Sequence, residues 1–429
     1  MTMDNPRVIA RDVLLRCESA NGYSNIALDT AIRRVDLSDP DRALLTTLVY
    51  GCLERRLTLD ACIDALRTGG APLSPEVRVA LRLGVYQLTY LDRVPDHAAV
   101  NESVSLVPKR ARGVVNAILR AYLRGGKRIP LPDRAAAPVG YLSVKYSFCP
   151  EIVEKFLSVY GEARTESLLD AFCREPDLTL RVNTLRVTRA DFLAALDARG
   201  VNAVATGESA TGVRVLDKLP VTEIYGYEEG LFFVQDEASQ LCVEALDARA
   251  GMRVLDACAC PGSKSFGAAI EMENTGAVLA ADLHRNKLSL VESGAERLGI
   301  TCLSVEARDA REVREAEYDR VICDVPCSGF GVFAKKPELR YKDPATSASL
   351  PAIQRDILDA ASHAVRAGGR MVYSTCTLLP EENGEQVRAF LSRHGDFSLL
   401  VERTLTPDED GTDGFYFAVL EKKETSANA

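Results

Sequence analysis

Arg253-Val254-Leu255-Asp256-Ala257-Cys258-Ala259-Cys260-Pro261-Gly262-Ser263-Lys264 runs from an apolar strand through a small-residue loop into a helix. In an open α/β sheet the ligand lies beyond the carboxyl ends of the strands, so this loop is expected to line a binding crevice. It contains no G-x-G-x-x-G, which counts against a dinucleotide, and no P-loop spacing, which counts against a nucleoside triphosphate. Twenty-six residues after Asp256 the next apolar run ends at Asp282, an acid placed to bond both ribose hydroxyls. An adenosine-containing ligand without a pyrophosphate fits this pattern. S-adenosylmethionine meets that description, with its methionine part along Cys258, Ala259, Cys260, Pro261, Gly262 and Ser263 and its carboxylate within reach of Lys264.

Outward from the loop, apolar runs at 252 to 257, 277 to 281, 302 to 305, 319 to 323 and 370 to 374 alternate with helical stretches. That rhythm belongs to a parallel sheet with covering helices. Gly414-Phe415-Tyr416-Phe417-Ala418-Val419-Leu420 reads as a final strand, antiparallel to its neighbour because the connection before it is short. Asp309 follows the third run and Asp324 ends the fourth, so with Asp256 and Asp282 four acids stand at four successive strand ends. Any one of them is more commonly a helix N-cap or a turn residue. Four together put at least two in the crevice, with Asp309 expected near an adenine and Asp324 between cofactor and substrate.

Two cysteines follow strands at the same edge: Cys327 in Asp324-Val325-Pro326-Cys327-Ser328-Gly329 and Cys376 in Tyr373-Ser374-Thr375-Cys376-Thr377. A lone cysteine is more often a small buried hydrophobe. A pair of thiols beside a nucleotide-type pocket points instead to covalent chemistry on a poorly reactive carbon. Cys258 with Cys260, and Cys323 with Cys327, lack the paired C-x-x-C groups or histidine that a structural zinc wants, and His284 alone is nearby, so no metal is expected. Four histidines in the whole chain also leave little material for a Ser-His-Asp hydrolase.

The chain of 429 residues, 47% apolar, is too long for one ordinary core and reads as multidomain. Twelve cysteines without short regular spacing fit free thiols in a reducing compartment. The start holds two acids and three arginines up to Arg16 without a signal peptide's apolar core, and no run approaches ~18 apolar residues. A cytoplasmic protein without a membrane segment is the expectation. From Pro6 to about Arg124 the period is helical, as in Val77, Leu81, Val85, Leu88 and Leu91. In the last of these helices Val114, Val115, Ile118, Leu119 and Tyr122 form an apolar face, while Arg112, Asn116, Arg120 and Arg124 recur every fourth residue opposite. Gly125 to Pro138 reads as a linker. The stretch from Tyr141 to about Gly230 mixes a helix over 151 to 160 with a strand over 178 to 182, a small α/β subdomain.

Residues 1 to 140 hold 20 Lys+Arg against 15 Asp+Glu, so the net charge of −9 divides into +5 there and −14 beyond. Between Lys109 and Arg134 eight basic residues face one acid, Asp133, and a phosphate-bearing partner would be drawn to them. Lys109, Arg110, Arg112, Arg120 and Arg124, with Lys335, Lys336 and Arg340 after the Cys327 loop, are the candidate RNA contacts. For each, the alternative is an ordinary solvated charge.

These stretches resemble the bacterial RsmB (Sun/Fmu) family of ribosomal RNA cytosine-C5 methyltransferases. The resemblance rests on Leu180-Arg181-Val182-Asn183-Thr184-Leu185, Val234-Gln235-Asp236-Glu237-Ala238-Ser239, the 256 to 264 loop, Asp324 to Gly329, Ser374 to Cys376 and Asp413-Gly414-Phe415, in the family's order over nearly the whole chain. It implies an all-α NusB-like domain over 1–138, a small α/β RNA-recognition subdomain over 139–232 and a methyltransferase domain over 233–429. The last would be a Rossmann-like class I domain with a mostly parallel seven-stranded sheet. S-adenosylmethionine is the implied donor, and the implied partner is a stem-loop of 16S rRNA, the family's usual target being cytosine 967. A monomer is expected. Where the family typically has Cys-Ala-Ala-Pro-Gly-Gly-Lys, this chain has Cys260 and Ser263; if the sixth position needs a positive φ, Ser263 is strained by ~1 to 2 kcal/mol and cofactor affinity suffers.

The resemblance makes Cys376 the nucleophile that adds to C6 of cytosine and Cys327 the residue that helps release the product. Asp324, protonated or sharing a proton with N3, would stabilise the charge that develops on the ring. A base inside paired RNA is out of reach, so the target is expected to be single-stranded or flipped out. Three other readings stay open here: a tRNA substrate, a non-catalytic RNA-binding factor, and a nicotinamide-dependent oxidoreductase already disfavoured by the absent glycine fingerprint.

Overall fold

The computed structural model describes residues 5–20, 24–67, 69, 72–313 and 318–424. Contacts divide the chain into two compact units, Met1–Arg174 with Phe333–Pro344, and Glu175–Val332 with Ala345–Ala429.

Among its described residues the first unit is helical and has no strand. Its central helix, Pro75–Tyr90, is buried nearly all round, which accounts for a sequence whose apolar residues do not keep to one face. Helix Lys109–Arg124 packs Val115, Ile118, Leu119 and Tyr122 into the same core. Val114, expected on that face, is 47% exposed. At 3.6 residues per turn it stands roughly 90° from the middle of the buried stripe. The long helix Pro150–Phe172 breaks its helical path at Gly161, where φ is 72°.

Phe333–Pro344 supplies the first unit with part of its core. Phe333 is fully buried among Phe148, Phe156 and Phe172, with ring centroids 5.0 to 6.2 Å away. Arg340 corrects an expectation: it is 1% exposed and cannot meet RNA. Its guanidinium donates to the carbonyls of Phe172 at 2.6 Å, Glu54 at 3.1 Å and Phe333 at 3.4 Å and lies over the Phe148 ring. Buried arginine needs such acceptors, and here backbone oxygens supply them.

The second unit carries two sheets. In the smaller, β1 (Leu178–Val182), β2 (Ala203–Ala205), β3 (Gly212–Val215) and β4 (Phe232–Val234) run antiparallel in the order β2-β3-β1-β4. Helix Arg189–Asp197 covers it, with Leu180, Val182, Phe192, Leu196, Val213 and Phe232 as core.

The larger sheet contains β5 (Arg253–Asp256), β6 (Ala277–Asp282), β7 (Leu303–Ala307), β8 (Tyr318–Asp324), β9 (Val365–Thr375), β10 (Phe397–Leu405) and β11 (Phe415–Lys422). Their order is β10-β11-β9-β8-β5-β6-β7, with β5 to β9 mutually parallel and β11 antiparallel to both its neighbours. Strand side chains alternate between faces, and both faces are apolar. Val254, Ile322, Val372 and Phe417 pack under helices Glu237–Leu246 and Ser263–Glu271, while Leu255, Val321, Met371 and Tyr416 pack with Leu358, Val387 and Phe390. This double burial explains why the strands read as continuous apolar runs. The sheet is the mostly parallel, seven-stranded, Rossmann-like one that the family resemblance implies. Edge strand β10 was not legible because Leu399, Leu400 and Val401 face outward and break the alternation.

Candidate active site

Parallel strands deliver their carboxyl ends to one edge, so β5, β6, β7 and β8 bring Asp256, Asp282, Asp309 and Asp324 to the same side of the sheet. Asp256 is fully buried beneath the first loop; its Oδ2 accepts from Ser265 Oγ at 2.6 Å, and its Oδ1 has no hydrogen-bond partner. Burial, only partly offset by that bond, pushes its carboxyl up to about 7. The loop itself is pinned by Ala257 N–H to the Ile322 carbonyl at 2.9 Å and by Ala259 N–H to the Ala281 carbonyl at 2.8 Å.

Gly262, with φ 114°, makes the turn into the helix, and Ser263 is that helix's first residue. The strain expected at Ser263 is therefore absent, because the left-handed position falls on glycine one residue earlier. A Cβ at Gly262 would also meet the Phe266 ring at 2.5 Å.

Asp282 is half-buried, accepting from His284 N–H at 2.8 Å and Cys260 N–H at 3.3 Å, and its remaining lone pairs suit a ribose diol. Asp309 takes the commoner fate of an acid in this position. It caps the turn Ala310–Glu312 and pairs with Arg311 at 2.6 Å, a bond that holds its carboxyl below the usual range. The Cys258 thiol is pushed well up by burial, and the Cys260 thiol up to about 12 by burial and the nearby Asp282 charge. No cluster of potential metal ligands occurs among the described residues.

Lys264 departs from its expected place on a cofactor carboxylate. Its Nζ lies 2.7 Å from Asp324 Oδ2 and 5.1 Å from the centre of the Phe415 ring, with only 7% of the residue exposed. Burial opposes the ammonium, but the Asp324 charge outweighs it and holds the amine above its ordinary value. Asp324 Oδ1 accepts from Ser374 Oγ at 2.8 Å, so both oxygens of this carboxylate act as acceptors. In the substrate-free site Asp324 thus forms an ion pair whose ammonium partner, Lys264, is the adjacent acid.

β8 and β9 are in parallel register with Asp324 opposite Ser374, so the two cysteine loops leave adjacent strands side by side. Sγ of Cys327 and Sγ of Cys376 are 3.1 Å apart, and both residues are half-buried. The Cys327 thiol is pushed well above its ordinary value by its hydrogen bond with Cys376, by burial and by the nearby charge of Glu382. A short bridge locks the pair: Gly331 N–H donates to the Cys376 carbonyl at 3.0 Å, and Gly414 N–H donates to the Gly331 carbonyl at 2.8 Å. A Cβ on Gly331 would lie 1.8 Å from the Gly414 carbonyl oxygen.

The structure thus gathers Asp324, Cys327, Cys376, Lys264 and the 258 to 264 loop at one sheet edge. Lys109, Arg110, Arg112, Arg120 and Arg124 lie in the first unit, exposed on one helix, as do the exposed Lys335 and Lys336. Sequence reasoning missed Gly331, Gln354, Glu382 and Asn383, and gave the quoted Ser374 no role of its own. Pro380-Glu381-Glu382-Asn383, four residues past Cys376, was the available signal. One other quoted stretch, 180 to 185, is scaffolding. Arg181, 1% exposed, pairs with Glu271 at 2.6 Å, and Asn183 Nδ2 donates to the carbonyls of Gly230 and Leu298, both at 2.9 Å.

The sequence model described as 16S rRNA methyltransferase RsmB/F matches residues 243–421, that of the NusB family residues 4–124, and a ferredoxin-like domain of RsmF/B-like methyltransferases residues 152–222. The chain is 36% identical to the probable ribosomal RNA small subunit methyltransferase B of Bacillus subtilis, covering 99% of this chain and 100% of that one. With the ribosomal RNA small subunit methyltransferase B of Serratia proteamaculans it shares 34% identity over 90% of this chain and 92% of that one. Among solved structures, the crystal structure of PH0851 superposes with a TM-score of 0.81 at 25% identity, covering 98% of this chain and all of the other. NSun6 from Pyrococcus horikoshii with SFG gives 0.59 at 21% identity, covering 65% of this chain and all of that one, a likeness of fold.

Proposed function

Because the chain belongs to the RsmB/F family of 16S rRNA methyltransferases, and is an S-adenosylmethionine-dependent rRNA methyltransferase, we propose that it methylates C5 of one cytosine in a 16S rRNA stem-loop through a covalent Cys376–C6 adduct. The observation that carries this reading is the 3.1 Å contact between the two thiols, beside the Lys264–Asp324 pair. The family's usual nucleotide, cytosine 967, is the target we infer.

C5 of cytosine is too weak a nucleophile to attack a methyl sulfonium unaided. The Cys376 thiolate adds at C6, and the electron pair displaced from the C5–C6 double bond makes C5 an enamine carbon. Bound S-adenosylmethionine supplies the electrophilic methyl group. Lys264 and Asp324 offer an ammonium donor and a carboxylate acceptor for N3 and the exocyclic amine as charge develops there. Loss of the C5 proton to a base then restores the double bond, and the C6–S bond breaks to return the Cys376 thiolate. Cys327, whose Sγ lies 3.1 Å from that of Cys376, is assigned to that release, as the family resemblance implies.

For the cofactor, the residues we infer are Cys258 to Ser263 along its methionine part, Asp282 at the ribose, Asp309 near the adenine and Asp324 toward the reacting base. Lys109, Arg110, Arg112, Arg120, Arg124, Lys335 and Lys336 are inferred to hold flanking phosphates. The three matched segments support a division of the chain at about 138 and 232 into a NusB-like domain, an RNA-recognition subdomain and a methyltransferase domain. No described helix is long and apolar enough to cross a membrane. A ribosomal RNA substrate supports a cytoplasmic site of action, and a monomer is proposed. Bisulfite sequencing of total RNA from cells with and without the gene tests the assignment. Loss of one methyl mark in 16S rRNA supports it, and a loss confined to tRNA overturns it.

A further inference from the structure

The turn that follows Cys376 takes no part in the reaction as described, yet it grips both thiol loops. Asn383 Oδ1 accepts from Thr375 Oγ1 at 2.5 Å and its Nδ2 donates to the Thr377 carbonyl at 2.9 Å, so it brackets Cys376 on both sides. Glu382 Oε2 accepts from Ser328 N–H at 3.0 Å and from Gln354 Nε2 at 2.7 Å. The same Gln354 nitrogen donates to the Pro326 carbonyl at 3.0 Å, so Cys327 is bracketed as well. The Ser328 and Thr377 hydroxyls, 2.7 Å apart, tie the two loops together. Tyr373 OH fixes the turn itself by donating to the Glu382 carbonyl at 2.6 Å.

Stability alone does not account for a carboxylate here. Glu382 is 1% exposed, its Oε1 has no hydrogen-bond partner, and the two donors to Oε2 are neutral. A buried charge held by so few bonds is costly. Glutamine would accept the same two bonds without the charge.

We propose that Glu382 and Asn383 are positioning residues for methyl transfer: they clamp the Cys327 and Cys376 loops so that the thiols meet, with the Glu382 carboxylate set on the Cys327 side of that contact. The inference rests on the reading of Cys376 as nucleophile. The negative charge of Glu382 acts on Cys327 in the same direction as the Cys376 contact and burial, against a thiolate. A site with two adjacent thiols needs such a bias, because a thiolate at Cys327 would repel one at Cys376 and compete with it for C6.

The test is Glu382→Gln in the full chain, with two readouts. In a Cys376→Ser background, the pH profile of Cys327 alkylation by iodoacetamide, followed by peptide mass spectrometry, is expected to move down by about one pH unit. In the otherwise wild-type chain, kcat for a 16S stem-loop is expected to fall about tenfold to a hundredfold, with the Kd for S-adenosylmethionine and the KM for RNA within about twofold. An unmoved alkylation profile, an unchanged kcat, or a loss of kcat matched by lost cofactor affinity overturns the proposal. Should that variant not fold, Asn383→Ala reads the Cys376 side: the same fall in kcat at unchanged cofactor affinity supports the clamp, and an unchanged kcat overturns it. A wild-type chain that does not methylate RNA sinks the functional reading instead, and leaves the alkylation readout standing.

Discussion

Sγ of Cys327 and Sγ of Cys376 lie 3.1 Å apart although 49 residues separate them in the chain. The proximity follows from sheet topology: Asp324 at the end of β8 stands in register with Ser374 near the end of β9, and each cysteine comes two or three residues later. Parallel pairing sends both loops out of the same edge, where the Lys264–Asp324 pair and the first-strand loop also emerge.

Removing the negative member of that pair leaves a buried ammonium without its counter-charge. Asp324→Asn is expected to abolish methyl transfer and to lower stability by about 3 kcal/mol near neutral pH. In the wild type the Lys264 amine is held above its ordinary value of 10.5, so the pair's contribution is full below that pH and declines only in strong alkali. In the variant the unopposed burial pulls the amine down. Urea denaturation at pH 6 and pH 9 should therefore show a smaller deficit at pH 9, and an equal deficit at both would count against the ion pair.

Asp256 has the same sign in a lower pH window. Burial raises its carboxyl from an ordinary 3.8 to about 7, so its contribution is full below about 3.8 and is lost as pH rises through 7. Asp256→Asn keeps an acceptor for Ser265 Oγ and removes the charge. Without cofactor, the variant should be more stable than wild type at pH 8, by at least about 1.4 kcal/mol, and gain little at pH 4. Thermal melts at the two pH values check the sign.

Gly331→Ala tests the bridge between the cysteine loops. Its Cβ would sit 1.8 Å from the Gly414 carbonyl oxygen and 2.9 Å from that of Cys376, so one strand must move. A stability loss of about 2 kcal/mol is expected, together with a kcat loss greater than tenfold. Wild-type turnover in this variant would mean that the thiols tolerate a shifted backbone.

At the cofactor loop the glycine requirement separates two neighbours. Gly262→Ala, with φ 114° and the Phe266 ring at 2.5 Å, is expected to weaken S-adenosylmethionine binding at least about fivefold, the equivalent of ~1 kcal/mol of strain. Ser263→Gly should change affinity by less than about twofold, because Ser263 already sits in ordinary helical geometry. Isothermal titration calorimetry on both variants decides.

Sequence legibility followed how local each signal was. Strands β5 to β9 and β11 were readable because burial on both faces leaves continuous apolar runs, and the strand-end acids and both cysteine loops came with them. Edge strand β10 has no such run. Arg340 looked like a surface charge because its acceptors are backbone carbonyls at Glu54, Phe172 and Phe333, which no composition reveals. Lys264 was placed on a cofactor because its partner, Asp324, is 60 residues away in sequence and arrives only through β5–β8 pairing. Glu382 was passed over for the same reason, as its partners Ser328 and Gln354 come from other elements, whereas Asn383 bonds the nearby Thr375 and Thr377 and was simply not singled out.

The most direct test of the account is a denaturing gel of the Cys327→Ala protein incubated with S-adenosylmethionine and a labelled 16S rRNA stem-loop. With attack by Cys376 intact and release impaired, a slow-migrating covalent protein–RNA band is expected, absent from the Cys327→Ala/Cys376→Ala double variant. Persistence of the band in the double variant, or its absence from Cys327→Ala, would contradict the assignment of Cys376 to C6 attack and Cys327 to release.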